Sequence, residues 1–215
     1  MVILVFNVGF TTDYVIKAVT QRGTRDVSKV ILVTALAKDE LARKKNADAM
    51  NAIISFLNVA GVKEVRPLTV DVDTTFENIL LQLSAGLGKL DEEVEIYLVG
   101  GMRILLLSLY YLSQLLNTIV KVKVVAFDEN MKTAYDIPLT LPKIPKSGAQ
   151  IEVLKALRVK RTVGELAELL GKTQSTVIKQ LDSLDGLIEC KKVGRERECE
   201  VSALGKVLLN LLGVS

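Results

Sequence analysis

The segment Ile96-Tyr97-Leu98-Val99-Gly100-Gly101-Met102-Arg103-Ile104 decides how this chain reads. An apolar run of strand character enters a glycine pair, and a long apolar segment beginning at Ile104 leaves it. A strand that passes through glycines into a helix lets backbone approach a ligand closely. It also aims free N–H groups, and here the Arg103 guanidinium, at an anion. Plain turn chemistry would account for the glycines alone; Arg103 beside them is what points to a phosphate-bearing ligand.

The same grammar repeats along the first two thirds of the chain. Val2 to Phe6 is a continuous apolar run, followed by Asn7-Val8-Gly9-Phe10-Thr11-Thr12-Asp13 and a helical pattern from Tyr14 to Val19. Val30 to Thr34, Glu64 to Val70, Glu95 to Val99 and Val120 to Phe127 read as further strands, with Pro67 at an irregularity or an edge. Helical patterns lie between them, with Asp73 or Thr74 as the cap of the third. Apolar runs without period-two alternation, separated by helices, describe a parallel sheet covered on both faces. The fold class expected is α/β, a Rossmann-like parallel sheet domain followed by a smaller winged helix-turn-helix domain. Right-handed crossovers in the order 3-2-1-4-5 put strand one beside strand four, where ligands bind beyond the carboxyl ends. The candidate ligand-binding residues are therefore Asn7, Gly9, Phe10, Thr11, Thr12 and Asp13 from one loop, and Gly100, Gly101, Met102 and Arg103 from the other. The first loop is not a dinucleotide fingerprint, since it has one glycine where that motif wants three.

The 215 residues include 49% hydrophobic ones, ample for a packed core, and 28 basic against 25 acidic side chains, a net charge of +3. That sum conceals an asymmetry: residues 1–137 carry 15 Lys and Arg against 16 Asp and Glu, whereas the rest carry 13 against 9. A nucleic-acid footprint belongs to the C-terminal part. Histidine is absent and only Cys190 and Cys199 could supply thiolates, so no metal site and no catalytic group are assigned. Met1 to Phe6 lacks the basic flank of a signal peptide, and Ile104 to Val120 is too short and too polar to span a bilayer. A cytoplasmic protein without a membrane partner is expected.

Pro138, Pro142 and Pro145 make residues 138–149 a stiff linker between a domain over 1–137 and another over 150–215. Beyond it the pattern changes to short helices: Ile151 to Leu157, then a capping box at Thr162-Val163-Gly164-Glu165, then a helix from Thr173 to Leu184 across a tight turn at Gly171. Two helices so joined have helix-turn-helix geometry. The segments Glu189 to Val193 and Glu196 to Val201 form a hairpin around Gly194-Arg195, a wing. Lys172 in the turn, Gln174, Ser175, Thr176 and Lys179 on the helix, and Lys191, Lys192, Arg195 and Arg197 on the wing are the candidate DNA-binding residues. A protein-binding winged helix is the competing reading. Cys190 and Cys199 face each other if the hairpin loop has two residues, which allows a cross-strand disulfide, but a cytoplasmic protein is expected to hold them as half-buried thiols. Val207, Leu208, Leu211 and Leu212 form a last amphipathic helix for dimer contact or packing. The helix from Ile104 to Leu116 is apolar nearly all round, which suits a twofold partner or burial within a monomer.

In Asn7 to Asp13 and Gly100 to Arg103 the chain resembles the archaeal CRISPR-associated transcriptional regulators that join a CARF (CRISPR-associated Rossmann-fold) sensor domain to a winged helix-turn-helix. Gln174 to Val177 and Gly186 to Ile188 are similar to many winged-helix regulators. The resemblance implies a homodimer whose paired sensor domains share one pocket for a cyclic oligoadenylate, in particular cyclic tetra-adenylate, and whose winged helices bind double-stranded promoter DNA at CRISPR loci. It implies a regulatory ligand and no cofactor. Some members of the wider family cut such rings with a ribose hydroxyl as nucleophile, so slow, metal-independent ring cleavage is an alternative, as is nucleotide sensing outside CRISPR biology.

Overall fold

A computed structural model describes residues 1–128, 130–139, 144–194 and 196–213. The chain divides into two compact units, residues 1–139 and 140–215. Part of the proline-rich linker, residues 140–143, lies outside the described residues, as does Arg195 of the expected wing.

The first unit is a six-stranded sheet. Its strands are β1 (Val2–Asn7), β2 (Val27–Ala35), β3 (Val65–Val70), β4 (Glu93–Leu98), β5 (Val122–Phe127) and β6 (Ala134–Ile137), in the order β3-β2-β1-β4-β5-β6. The first five are parallel, as their apolar runs predict, and β6 pairs antiparallel with β5. Sequence reading passes over β6 because its four residues are mostly exposed and include no buried run. Asp136 on it pairs with Lys123 of β5 at 3.1 Å, and such a charged, short strand closes a sheet edge against further pairing. Pro67 sits in β3, the opposite edge, where its missing N–H costs no ladder bond on the outer side.

Four helices cover the sheet: α1 (Asp13–Arg22), α2 (Glu40–Val59), α3 (Phe76–Leu87) and α4 (Arg103–Leu116). Side chains alternate across β1, so Leu4 and Phe6 pack with Val15, Val19, Ile53 and Leu57 from α1 and α2. Ile3 and Val5 pack with Ile79, Leu83, Leu105 and Leu109 from α3 and α4. The cap of α3 is Thr75, whose hydroxyl accepts from Asn78 N, rather than the expected Asp73 or Thr74. Asp73 is thereby left free for the loop before it.

The end of α1 is tied to the sheet by charge. Arg22 Nε donates to Glu95 Oε2 at 2.8 Å and Nη2 to Oε1 at 3.0 Å, while Nη1 reaches Asp26 at 2.6 Å. Tyr97 also donates to Glu95, at 2.7 Å. Burial pushes the Glu95 carboxyl up, but the hydrogen bonds from Arg22 and Tyr97 outweigh it, and its pKa lies below the usual value. Hydrogen bonding to Glu95 and then Asp26 raises that of Arg22; burial, and then the bond to Glu95, raises that of Tyr97. A carboxyl held below its unfolded pKa of about 4.3 contributes stability that is full above that pH and is lost as the pH falls through the folded value. Glu95→Gln should therefore cost about 2 kcal/mol at pH 7, because it leaves a largely buried guanidinium with Asp26 as its remaining charge partner. Urea unfolding of both proteins should show the gap closing in acid; a gap of the same size at pH 3 would mean that charge is not its source.

The second unit holds α5 (Gly148–Ala156), β7 (Arg161–Thr162), α6 (Val163–Leu170), α7 (Gln174–Asp182), β8 (Ile188–Val193), β9 (Glu196–Val201) and α8 (Ala203–Leu211). A capping box between Ser147 and Gln150 starts α5 three residues before the expected Ile151, and the expected box between Thr162 and Glu165 opens α6. Gly171, at φ 61°, ends α6 in the left-handed conformation and makes the tight turn into α7. The three strands form an antiparallel sheet in the order β7-β9-β8. Leu154, Leu157, Leu166, Val177, Leu181 and Leu184 pack with Cys199, Val201 and Leu209 as the core.

One expectation is corrected here. Cys190 and Cys199 do face each other across β8 and β9, but their sulfurs are 2.08 Å apart and joined as a disulfide, not held as thiols. On α8 Gly205 and Leu209 are buried and Leu208 packs against the core, while Val207, Leu211 and Leu212 are exposed. The helix is set by Gly205, where a Cβ would lie 2.2 Å from the Leu187 carbonyl oxygen, so only glycine permits this approach.

Candidate functional site

Strand pairing brings the two glycine loops together. β1 lies beside β4, with Phe6 opposite Tyr97, and both chains emerge at the same sheet end. Asn7, fully buried, accepts the Val99 N–H on Oδ1 at 2.9 Å, which staples the end of β1 to the end of β4. Its Nδ2 is buried with no partner among the described residues. Past this staple the backbones touch: a Cβ on Gly9 would lie 2.8 Å from Gly101 N, and one on Gly101 would lie 2.9 Å from the Val8 carbonyl oxygen. Gly101 is also at φ +76°, a conformation natural to glycine.

These loops open α1 and α4, and the two helices differ from the rest of the molecule in one respect. Among the described residues, α2, α3, α5, α6, α7 and α8 each begin with a side chain accepting from a first-turn N–H: Asp39, Thr75, Ser147, Thr162, Thr173 and Ser202. At α1 and α4 the cap positions are Thr12 and Met102, and neither makes such a bond. The first-turn donors of a helix need an acceptor, and the partial positive charge there favours an anion. Two such ends converge where the glycines meet.

Beside them is a cleft of about 470 Å³. One wall is Val8 to Thr11, Tyr14 and Gly100 to Met102, so of the candidate residues Gly9, Phe10, Thr11, Gly100, Gly101 and Met102 line it. Asn7, Thr12, Asp13 and Arg103 do not line it. Asn7 is the staple beneath; Thr12 bonds to Asp13 at 3.3 Å; Arg103 is exposed at the head of α4, with no hydrogen bond or ion pair among the described residues. The other wall was not anticipated: Thr34 to Asp39 at and beyond the end of β2, Ala42 and Asn46 on α2, and Val72 and Asp73 after β3. The available signal was topological, because in a 3-2-1-4-5 sheet the loops after strands two and three sit beside the loop after strand one.

On α4 the residues four apart from Arg103 are Leu107, Tyr111 and Leu115, each about half exposed, while Leu105, Leu109 and Leu112 face the sheet. The helix thus carries a half-exposed apolar stripe headed by a cation, with the Tyr111 ring set edge to face on Phe76 at 5.6 Å. In the second unit, Gln174, Ser175, Thr176 and Lys179 are exposed on α7, and Val177 and Leu181 are buried beneath them. Lys191 and Lys192 are exposed on β8. Arg197 pairs with Asp182 at 2.9 Å, and Lys172 lies 3.8 Å from Glu152 and 3.5 Å from Gln180, so both cations already have partners. No group of three or more Cys, Asp or Glu among the described residues is arranged to hold a metal ion, and no helix there is long and apolar enough to cross a membrane.

Residues 2–138 match the Csa3 CRISPR-associated Rossmann-like domain. The chain belongs to the Csa3 family. Both glycine loops and the whole cleft lie inside the matched residues of this Csa3-family chain, and the second unit lies beyond them. No curated protein matches the chain. Among solved structures it is similar to Can2 from Sulfobacillus thermosulfidooxidans, described in complex with cyclic tetra-adenylate. The TM-score is 0.45 at 12% identity, over 98% of this chain and 64% of that one. The Csa3-family chain is therefore shorter than the neighbour, spanning less than two thirds of its length.

Proposed function

We propose that the protein is a homodimeric, ligand-responsive DNA-binding regulator of CRISPR loci, whose cleft binds a cyclic oligoadenylate, cyclic tetra-adenylate by preference. The observation that carries this reading is the pair of uncapped helix ends converging at the contact between Gly9 and Gly101. Such a place accepts phosphate without a metal and without histidine. A ring of four phosphates with twofold symmetry offers equivalent anions to two protomers, so one chain supplies half of the donors. The half-exposed stripe of Leu107, Tyr111 and Leu115 is the face through which a second copy joins. Arg103 heads that same row, which puts it at the seam between copies, in reach of a ligand lying across the twofold axis.

The second unit is read as a winged helix-turn-helix. α6 and α7 form the helix pair, Gln174, Ser175, Thr176 and Lys179 present the exposed face to a major groove, and the β8–β9 hairpin is the wing. Lys191 and Lys192 supply phosphate contacts there.

The test is titration of cyclic tetra-adenylate into the parent and Arg103→Ala, with promoter DNA binding measured alongside. Arg103→Ala should lose at least tenfold in ring affinity while its DNA affinity without ligand stays unchanged. A Lys191→Ala, Lys192→Ala double variant should bind all DNA sequences more weakly, with a salt slope shallower by about two per protomer, about four for the dimer. Equal ring binding by parent and Arg103→Ala would remove Arg103 from the site, and an unchanged salt slope would remove the hairpin from the DNA interface.

A further inference from the structure

The cleft contains one cation, and it is not the one that the sequence singles out. Among the described residues that line it, Lys38 is the sole Lys or Arg. Its ammonium is ion-paired with the Asp73 carboxylate, which joins the loop after β2 to the loop after β3 across the outer wall. Both side chains are largely exposed, at 71% and 54%. An ion pair so open to water holds weakly and exchanges readily. The backbones beneath are fixed. Arg43 donates to the Lys38 carbonyl at 2.7 Å, and the next residue, Asp39, caps α2 by accepting from Ala42 N at 2.7 Å. Asp73 N donates to Asp71 Oδ1 at 3.0 Å, and Asp71 exchanges two hydrogen bonds with Gln82, at 2.9 and 3.0 Å. The parts free to move are therefore the Lys38 side chain and its choice of acceptor.

We infer that Lys38 is the phosphate-holding cation of the cleft, and that Asp73 is its resting counter-ion, displaced when a ligand phosphate takes the ammonium. This rests on the reading that the cleft takes a phosphate-bearing ligand. The uncapped ends of α1 and α4 hold a phosphate from the inner wall, and Lys38 faces it from the outer one. A flexible ammonium can swing from one acceptor to another as a point charge, which a planar guanidinium does less readily. Asp73 thus sets a threshold: an anion must compete with it for Lys38, and an uncharged nucleoside gains nothing from displacing it. Asp39, also in the lining, is occupied at the start of α2.

The test is a double-mutant cycle on ligand affinity, with Lys38→Met, Asp73→Asn and both together, using cyclic tetra-adenylate and, in parallel, ATP as a linear phosphate probe. Lys38→Met should weaken binding about tenfold or more. Asp73→Asn should tighten it severalfold, and that gain should vanish when Lys38 is already Met, because the two residues act as one device. A gain from Asp73→Asn that persists in the Lys38→Met background would show a general loss of negative charge and overturn the proposal, as would unchanged affinity in Lys38→Met. Parent protein that binds ATP but not the ring refutes the ring reading while the cycle on ATP still judges Lys38. Parent protein that binds neither refutes both.

Discussion

Gly9→Val is expected to abolish ligand binding, with a loss of at least a hundredfold, while the sheet stays folded. The reason is which atoms a side chain would meet. A Cβ at Gly9 would lie 2.8 Å from Gly101 N and 3.0 Å from Gly101 Cα, and both are backbone, which cannot rotate aside. The loop after β1 must then move away from the loop after β4. The two uncapped helix ends, which serve one anion only while they converge, would be separated. The cost in stability is that of overpacking, about 1–3 kcal/mol. It is moderate because Asn7 and the strands beneath are untouched. Gly101→Val faces a second obstacle, its φ of +76°, and should be more destabilising than Gly9→Val with an equal loss of binding. Calorimetric titration with circular dichroism on the same samples separates the two effects. A Gly9→Val protein that binds like its parent would mean that contact between the loops is irrelevant to the ligand.

How far such a site is legible in sequence depends on whether the signal is local. Gly9, Gly100 and Gly101 were legible because Arg103 stands beside the glycine pair, and the strand order that joins the loops follows from crossover handedness. Asn7 was legible as a site residue but its job was not: whether an amide faces the ligand or staples two strand ends is decided by the partner strand, here through Val99 N. Arg103 was legible as a cation beside glycines. Its direction depends on which face of α4 meets the sheet, and with Leu105, Leu109 and Leu112 turned inward, the row of Arg103, Leu107, Tyr111 and Leu115 turns outward. Lys38 and Asp73 were illegible, since they lie 35 residues apart in two loops without glycine pairs or other marks, and only the sheet order makes them neighbours. In the second unit the capping box at Thr162 was plain because it is local, whereas β7, two residues long, exists only by pairing with β9.

Reduction of the protein should destabilise the second unit far more than the first. The bond between Cys190 and Cys199 closes a loop of about ten residues, for which the chain-entropy relation gives about 2.7 kcal/mol at room temperature. In a unit of this size that corresponds to a fall of about 10–20 °C in the midpoint of its unfolding. The location sharpens the effect. Cys199 is fully buried in the core beside Leu166, Val177 and Val201, and β9 pairs on its other edge with β7. The bond therefore ties the exposed strand of the hairpin, with Lys191 and Lys192, to the strand that carries the core. Without it β8 is held by backbone pairing and Ile188, so its outer end should fray first. The measurement is thermal unfolding with and without reductant, beside a thiol count. The oxidised protein should show no reactive thiol, and the reductant should lower the second transition and spare the first. A Cys190→Ser, Cys199→Ala variant should unfold near the reduced parent and be insensitive to reductant. If the native protein presents two reactive thiols, or if reductant moves both transitions equally, the hairpin is not held by this bond.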